Sequence, residues 1–237
     1  MLTPGELKGT VSPSQTKLEP LLEESWRRYY AISTGRKTMD INDLKRINSL
    51  WSKIYPYLAS QIMEGYRRDS GVVLELGPFS GGISLELIRL HPKLNITIAD
   101  ESPAAVEYLR QEISTSGLSQ KIAVKKTDLN HLAFDDSQFD LVIFRGAVFF
   151  LKDKENLLQE VFRVLKDEGM AFIGGGFGKG TPQELVDEIA DESRELNNRL
   201  GRPWVSIEEL EEMIRKSELT DKGKIVEDGG LWLNIEK

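Results

Sequence analysis

Apolar residues recur at helical spacing from Leu18 to about Arg68. In "LEPLLEESWRRYYAIS", Leu18, Leu22, Trp26 and Tyr29 fall near one face, and "INDLKRINSLWSKIYPYLASQIMEGY" continues the pattern with Pro56 as a break. Two or three helices are expected there. Residues 1–17 carry Pro, Gly, Ser and Thr without a period and read as a draped tail. After Asp69-Ser70-Gly71 the rhythm changes to short apolar runs, which predict strands over Val72–Leu76, Asn95–Ala99, Lys121–Lys125, Phe139–Phe144 and Met170–Gly174. Between them "SGGISLELIRL", "SPAAVEYLRQEISTSG" and "DKENLLQEVFRVLKDEG" predict helices, the last two closing on Gly117 and Gly169. Strands separated by helices of this length need right-handed parallel crossovers, so the expected core is an open, doubly wound α/β sheet. An acidic helical stretch follows from Pro182 to Glu218. "KGKIVEDGGLWLNIEK" then predicts two short strands joined at Gly229-Gly230, an antiparallel hairpin on the sheet edge. The expected division is a tail over 1–17, a helical cap over 18–68 and a main domain over 69–237.

Composition removes several kinds of chemistry. The absence of cysteine excludes disulfides, thiolate metal sites and cysteine nucleophiles, and two histidines, His91 and His131, are too few for a histidine-rich metal centre. A formal charge of −7 argues against a broad grip on a phosphate backbone, so nucleic acid is not an expected partner. No apolar run is long enough to span a bilayer, and "MLTPGELKGT" lacks the layout of a secretory signal, so a cytoplasmic location is expected.

Candidate chemistry gathers after the first strand. "VVLELGPFSGG" places Gly77, Phe79 and Gly82 where a dinucleotide-binding turn has three glycines. Phe79 stands where the backbone would have to approach a pyrophosphate, so the loop suits a nucleoside without phosphates. Three carboxylates lie at strand ends. Glu75 sits in an apolar strand, where an unpartnered charge is costly. Asp100, about twenty residues past the glycines, has the spacing of a ribose-binding carboxylate; a helix N-terminal carboxylate is the alternative. Asp128 follows the third strand, placed either to meet the exocyclic amine of a base or to cap its own turn. "GGGFGKGT" is interrupted by Gly180 as a phosphate loop and reads instead as a flexible strand exit. Trp26, Tyr29, Tyr30, Trp51, Tyr55 and Tyr57 read as helix packing, with a share in a substrate cap left open.

Taken in order, "VLELGPFSGG", "ITIADESP", "KKTDLNHLAFDDSQFDLVIFRGAVFFL" and "LLQEVFRVLKDEG" resemble the successive motifs of class I S-adenosylmethionine-dependent methyltransferases, in the small-molecule branch that includes quinone-biosynthesis enzymes. The resemblance covers roughly residues 50–237. It implies a Rossmann-like seven-stranded sheet ending in the Lys222–Glu236 hairpin, S-adenosylmethionine as cofactor and a small-molecule methyl acceptor. By position it also implies that Glu75 and the backbone of Gly77, Phe79, Ser80 and Gly81 face the methionine part, and that Asp100, with Glu101 beside it, holds the ribose hydroxyls. Asp128 and Leu129 would contact the adenine, and Arg145 would line the site near the methyl group. Catechol-type members also carry an aromatic at the position of Phe79, but their magnesium-binding carboxylates have no counterpart in "FRGAVFF" and "GGGFGKG", so no metal is expected. Phe149 and Phe150 stand where many members have histidines, and no catalytic base is identified. Two rival readings are a non-catalytic protein that retains the cofactor pocket and a nicotinamide-dependent oxidoreductase.

Overall fold

The computed structural model describes residues 41–77, 81–146, 156–199 and 205–237. The expected tail, the Leu18–Tyr29 helical face, Phe79, Ser80, Phe149 and Phe150 lie outside them. Ile41–Trp51 forms α1, a 3₁₀ turn spans Ser52–Ile54, and Tyr55–Tyr66 forms α2. Pro56 occupies the first turn of α2 and so starts this helix, because its missing N–H would have had no intrahelical partner there.

The strands are β1 (Ser70–Leu76), β2 (Lys93–Asp100), β3 (Ile122–Lys126), β4 (Phe139–Arg145), β5 (Leu165–Gly176), β6 (Gly223–Val226) and β7 (Gly230–Glu236). The helices after β1 are α3 (Gly82–Leu90), α4 (Pro103–Thr115), α5 (Leu157–Val164), α6 (Gln183–Arg199) and α7 (Ile207–Lys216). They build one seven-stranded sheet in the order β3-β2-β1-β4-β5-β7-β6. β1 to β5 run parallel, and β7 is antiparallel to both β5 and β6. The expected α/β class and the terminal hairpin are therefore present. Strand order reverses between β1 and β4, which makes the carboxyl edge there the switch-point crevice of a doubly wound sheet.

Because side chains alternate across a strand, each strand feeds two cores. Val73, Ile96, Ile98, Leu141, Ile143 and Phe172 pack on one face with residues of α2, α3 and α4. Leu74, Leu76, Ala99, Val142, Phe144 and Ile173 pack on the other with α5 and α7. Trp232 of β7 stacks on Phe172 of β5 at 4.3 Å between ring centroids, tying the reversed strand to its neighbour on the first face.

Three elements depart from the sequence-based expectation. Helix α5 ends at Val164, not at Gly169, since Leu165 turns to an extended backbone (φ −68°, ψ 138°) and pairs with Phe139. Helical periodicity alone cannot tell a buried helix end from a buried strand start. The register then jumps to Leu141 opposite Met170, so residues between them bulge out of the ladder. The strand was expected to end at Gly174 and to give way to a flexible exit; instead it runs on through Gly175 and Gly176, ladder residues opposite Leu231 and Gly230. The acidic stretch forms α6 and then α7, which Ser206 and Glu209 open with a reciprocal capping box.

Candidate active site

Three apolar series on the first face each end in a charge at the carboxyl edge. Alternation runs Val73 to Glu75 in β1, Ile96 and Ile98 to Asp100 in β2, and Leu141 and Ile143 to Arg145 in β4. Register lines them up. Glu75 lies opposite Ile98 and Ile143, and extending the ladder one residue past Leu76 puts Gly77 between Asp100 and Arg145. The amide of Gly77 donates to Ala99 O at 3.0 Å, consistent with that extension. Asp100 and Arg145 thus stand two strand spacings apart, about 10 Å, with the glycine between them.

All three charged side chains are buried: Glu75 is 1%, Asp100 2% and Arg145 4% exposed. The Ser84 amide donates to Glu75 Oε2 at 3.0 Å and the Ser84 hydroxyl donates to the same oxygen. Glu75 Oε1 is equally buried and meets no donor among the described residues. Burial pushes the Glu75 carboxyl up to about 7, against downward pulls from the Ser84 hydroxyl, the Gly81 and Ser84 amides and the charge of Arg145. Asp100 Oδ1 accepts from the Ser102 amide at 2.7 Å, and the Ser102 hydroxyl accepts from Ala105 N at 3.3 Å to cap α4. The carboxylate is thus held rigidly at the end of β2, and its helix-terminal contact coexists with a position facing the switch point.

Arg145 is enclosed by aromatics from the helices before the sheet. Its guanidinium lies 3.6 Å from the centroid of the Trp51 ring and 5.9 Å from that of Tyr55. Trp51 stacks in turn on Phe177 at 5.1 Å. The Tyr55 ring lies against Gly82 at the start of α3 so closely that no side chain could stand there, and its hydroxyl donates to Asn48 Oδ1 at 3.0 Å. Burial holds the Tyr55 phenol well above its usual range, despite the opposing charge of Arg145. Burial lowers Arg145 to about 10, with Tyr55 and Glu75 pulling the other way, so it stays charged at neutral pH.

The remaining residues singled out in the sequence divide by exposure. Glu101 is exposed beside Asp100. Asp128 is also exposed, and its Oδ1 accepts from Asn130 N at 2.8 Å, closing its own turn as the capping alternative anticipated. The Leu129 side chain is 1% exposed and packed in the second core, which leaves its backbone as the part that could meet a ligand. His131 is exposed, and His91 follows the last residue of α3. Ser84 and Phe177 were not anticipated. The signal for Ser84 was present, as a hydroxyl on the apolar Ile83–Leu87 face of α3; nothing local marked Phe177.

One titration follows from this geometry. The folded protein keeps the Glu75 proton up to about pH 7, whereas the unfolded chain releases it near 4.5. In that window the native state binds more protons, so this carboxyl lowers stability as pH rises, by on the order of 3 kcal/mol in total. Urea unfolding between pH 4.5 and 7.5 should show a shallower decline with pH in Glu75→Gln than in the unmutated protein. Parallel pH profiles for the two would remove Glu75 as the cause.

A buried carboxylate oxygen that meets no donor among the described residues, a rigid second carboxylate and a positive-φ glycine next to it fit the ammonium and ribose of a nucleosidyl amino acid. Among the described residues no three His, Asp or Glu side chains gather as a metal site would require. Comparison with known proteins points to the same kind of ligand. Residues 73–169 match the family described as a methyltransferase domain. The malonyl-[acyl-carrier protein] O-methyltransferase of Priestia megaterium is 23% identical over 164 residues, 68% of this chain and 58% of that protein. The ubiquinone/menaquinone biosynthesis C-methyltransferase UbiE of Desulfotalea psychrophila is 30% identical over 100 residues, 42% of this chain and 39% of that one. In structure, a putative S-adenosyl-L-methionine-dependent methyltransferase from Methanococcus maripaludis matches with a TM-score of 0.72 and 27% identity, over 87% of this chain and 97% of that chain. The chain spans about three fifths of the length of the malonyl-[acyl-carrier protein] O-methyltransferases it matches. Motif order, strand order and these likenesses converge: residues 73–169 carry a methyltransferase domain, and the chain is similar to small-molecule methyltransferases that use S-adenosylmethionine.

Proposed function

We propose that the protein transfers the methyl group of S-adenosylmethionine to a small organic acceptor in the cytoplasm, by positioning and water exclusion and without a metal. The observation that carries this reading is the row of Asp100, Gly77 and Arg145 across β2, β1 and β4, with the open oxygen of Glu75 two residues behind it. No described helix is long and apolar enough to cross a membrane.

When bound, the cofactor supplies an electrophilic methyl group on a positively charged sulfur. The chain's own residues do the rest. Glu75 Oε1 receives the α-ammonium, which favours the ionised carboxylate. Asp100 accepts from the ribose hydroxyls while its other contact, the Ser102 amide, fixes the carboxylate plane. Gly77 and Gly81 bring backbone close to the methionine part, and the turn at Asp128 and Leu129 borders the base. Trp51, Tyr55 and Phe177 wall off water beside Arg145, so the acceptor and the methyl group meet in a low-dielectric space. Relatives named as O- and as C-methyltransferases both match this chain, so the acceptor atom has to be read from the pocket.

Isothermal titration with S-adenosylhomocysteine tests the reading, with reduced nicotinamide dinucleotide as the control. Saturable binding of the first and none of the second is expected; the reverse pattern would sink it. Binding without methyl transfer to any of a broad acceptor panel would favour a non-catalytic role.

A further inference from the structure

Residues 127–138 connect β3 to β4 with no helix, and with no pairing beyond the isolated bridge of Asp128 with His131. Their backbone groups therefore need partners outside a ladder. Two side chains of α5 supply them. Arg163 donates from Nη1 to Phe134 O at 2.9 Å and to Asp136 Oδ1 at 2.7 Å, and from Nη2 to Leu132 O at 2.9 Å. It also grips both oxygens of Glu160, Nε to Oε1 and Nη2 to Oε2, each at 2.8 Å. Glu160 Oε2 accepts in turn from the Leu132 amide at 2.7 Å, so the pair holds Leu132 by both its backbone groups. Both side chains are largely sheltered, Arg163 28% and Glu160 13% exposed, a setting in which a bidentate pair keeps its geometry.

The anchoring reaches the turn at Asp128 and Leu129. Ala133, next to Leu132, donates from its amide to Thr127 Oγ1 at 2.9 Å, and the Thr127 amide donates to Asp100 O at 3.0 Å. The turn is thus fixed at two points, the end of β2 on one side and α5 on the other. Since the Leu129 side chain is packed in the second core, a base beside this turn meets main chain. Main chain cannot change rotamer to find a ligand; where the turn stands decides what its amides and carbonyls reach.

We infer that Arg163, aligned by Glu160, is a positioning residue for the base of the cofactor and gives the site its preference for adenine. This rests on the methyl-transfer reading above, which sets the base beside Asp128 and Leu129. Adenine presents an amine donor next to a ring-nitrogen acceptor, and hypoxanthine reverses both. A turn held to within about 0.5 Å tells the two apart, whereas a loosened turn adapts to either. Lysine is a poor substitute, because a compact ammonium on a flexible stem does not fork between two carbonyls and a carboxylate.

The test is isothermal titration of the full chain with S-adenosylhomocysteine and with S-inosylhomocysteine, in which hypoxanthine replaces adenine. The unmutated protein should prefer the adenine compound by at least about tenfold, since the wrong base leaves polar groups unpaired. Arg163→Met should bring that ratio below about threefold, and Arg163→Lys should restore it in part. An incompetent fraction of protein weakens both ligands equally, so a residue needed only for stability would leave the ratio unchanged. Glu160→Gln is the gentler variant: it keeps an oxygen for the Leu132 amide, loses the charge that aligns Arg163, and should lower the ratio about threefold. No preference in the unmutated protein overturns the inference, as does an unchanged ratio in Arg163→Met, or in Glu160→Gln should Arg163→Met not fold. Binding of S-adenosylhomocysteine by itself separates the two levels. If it fails with the unmutated protein, the methyl-transfer reading falls as well; if it binds and the variants keep the full preference, only the positioning role is lost.

Discussion

Asp100→Asn should weaken S-adenosylhomocysteine binding about 30-fold, on the order of 2 kcal/mol, while leaving the folded protein intact. Asparagine keeps a carbonyl oxygen for the Ser102 amide, so the end of β2 and the start of α4 hold their geometry. What the substitution removes is the charge, together with one of two acceptor oxygens. Hydrogen bonds from ribose hydroxyls to a buried carboxylate are roughly twice as strong as those to a neutral amide, and two such bonds are affected. Glu112→Gln is the matched control: Glu112 is exposed on α4, away from the end of β2, and its removal should change affinity less than about threefold. Calorimetric titration of both variants decides the matter. Equal affinities for Asp100→Asn and the unmutated protein would remove position 100 from the ribose site and with it the registration of the whole pocket.

The second large effect concerns the turn itself, and it is an effect on stability. Gly77 has φ +90°, a conformation that side-chain-bearing residues rarely adopt, and a Cβ built there would overlap the buried ring of Phe144 on β4. Backbone strain of about 1–2 kcal/mol adds to overpacking of about 1–3 kcal/mol. Gly77→Ala should therefore destabilise the protein by about 3 kcal/mol, read as a lowered urea midpoint at unchanged slope. The steric part is separable. Phe144→Leu leaves room for the new methyl group, so Gly77→Ala combined with Phe144→Leu should be more stable than Gly77→Ala alone, although Phe144→Leu by itself creates a cavity and destabilises. Strictly additive losses would mean that the Phe144 ring is not what the glycine accommodates.

Much of this arrangement was legible in the residues. The glycine turn followed an apolar run, Asp100 fell about twenty positions later, and helix-length segments separated the strands; these are local signals, and five strands and their parallel sense followed from them. Where the reading failed, two kinds of structure looked alike in one dimension. Leu165 continues the apolar spacing of α5, yet it pairs with Phe139 as strand, because burial under a neighbouring strand and burial on a helix face demand the same side chain. Gly175 and Gly176 have the composition of a loop, and the arrival of β7 from some fifty residues onward makes them a ladder. Asp128 had two readings, and its hydrogen bond to the Asn130 amide shows that turn closure is at least part of its role.

Chain order by itself determined which positions carry charge at the ends of apolar strands and how far apart they lie along the backbone, since alternation and spacing are properties of neighbours. The strand order β3-β2-β1-β4 was settled only in three dimensions. It sets Asp100 and Arg145 on either side of Gly77, although 44 positions separate the two charges in sequence. Tertiary packing likewise decided that Trp51 and Tyr55, from helices preceding the sheet, close over Arg145. The physical reason is that a buried guanidinium has to find aromatic faces and counter-charge wherever the folded chain offers them, and those neighbours are chosen by packing between distant segments, to which no local pattern is sensitive.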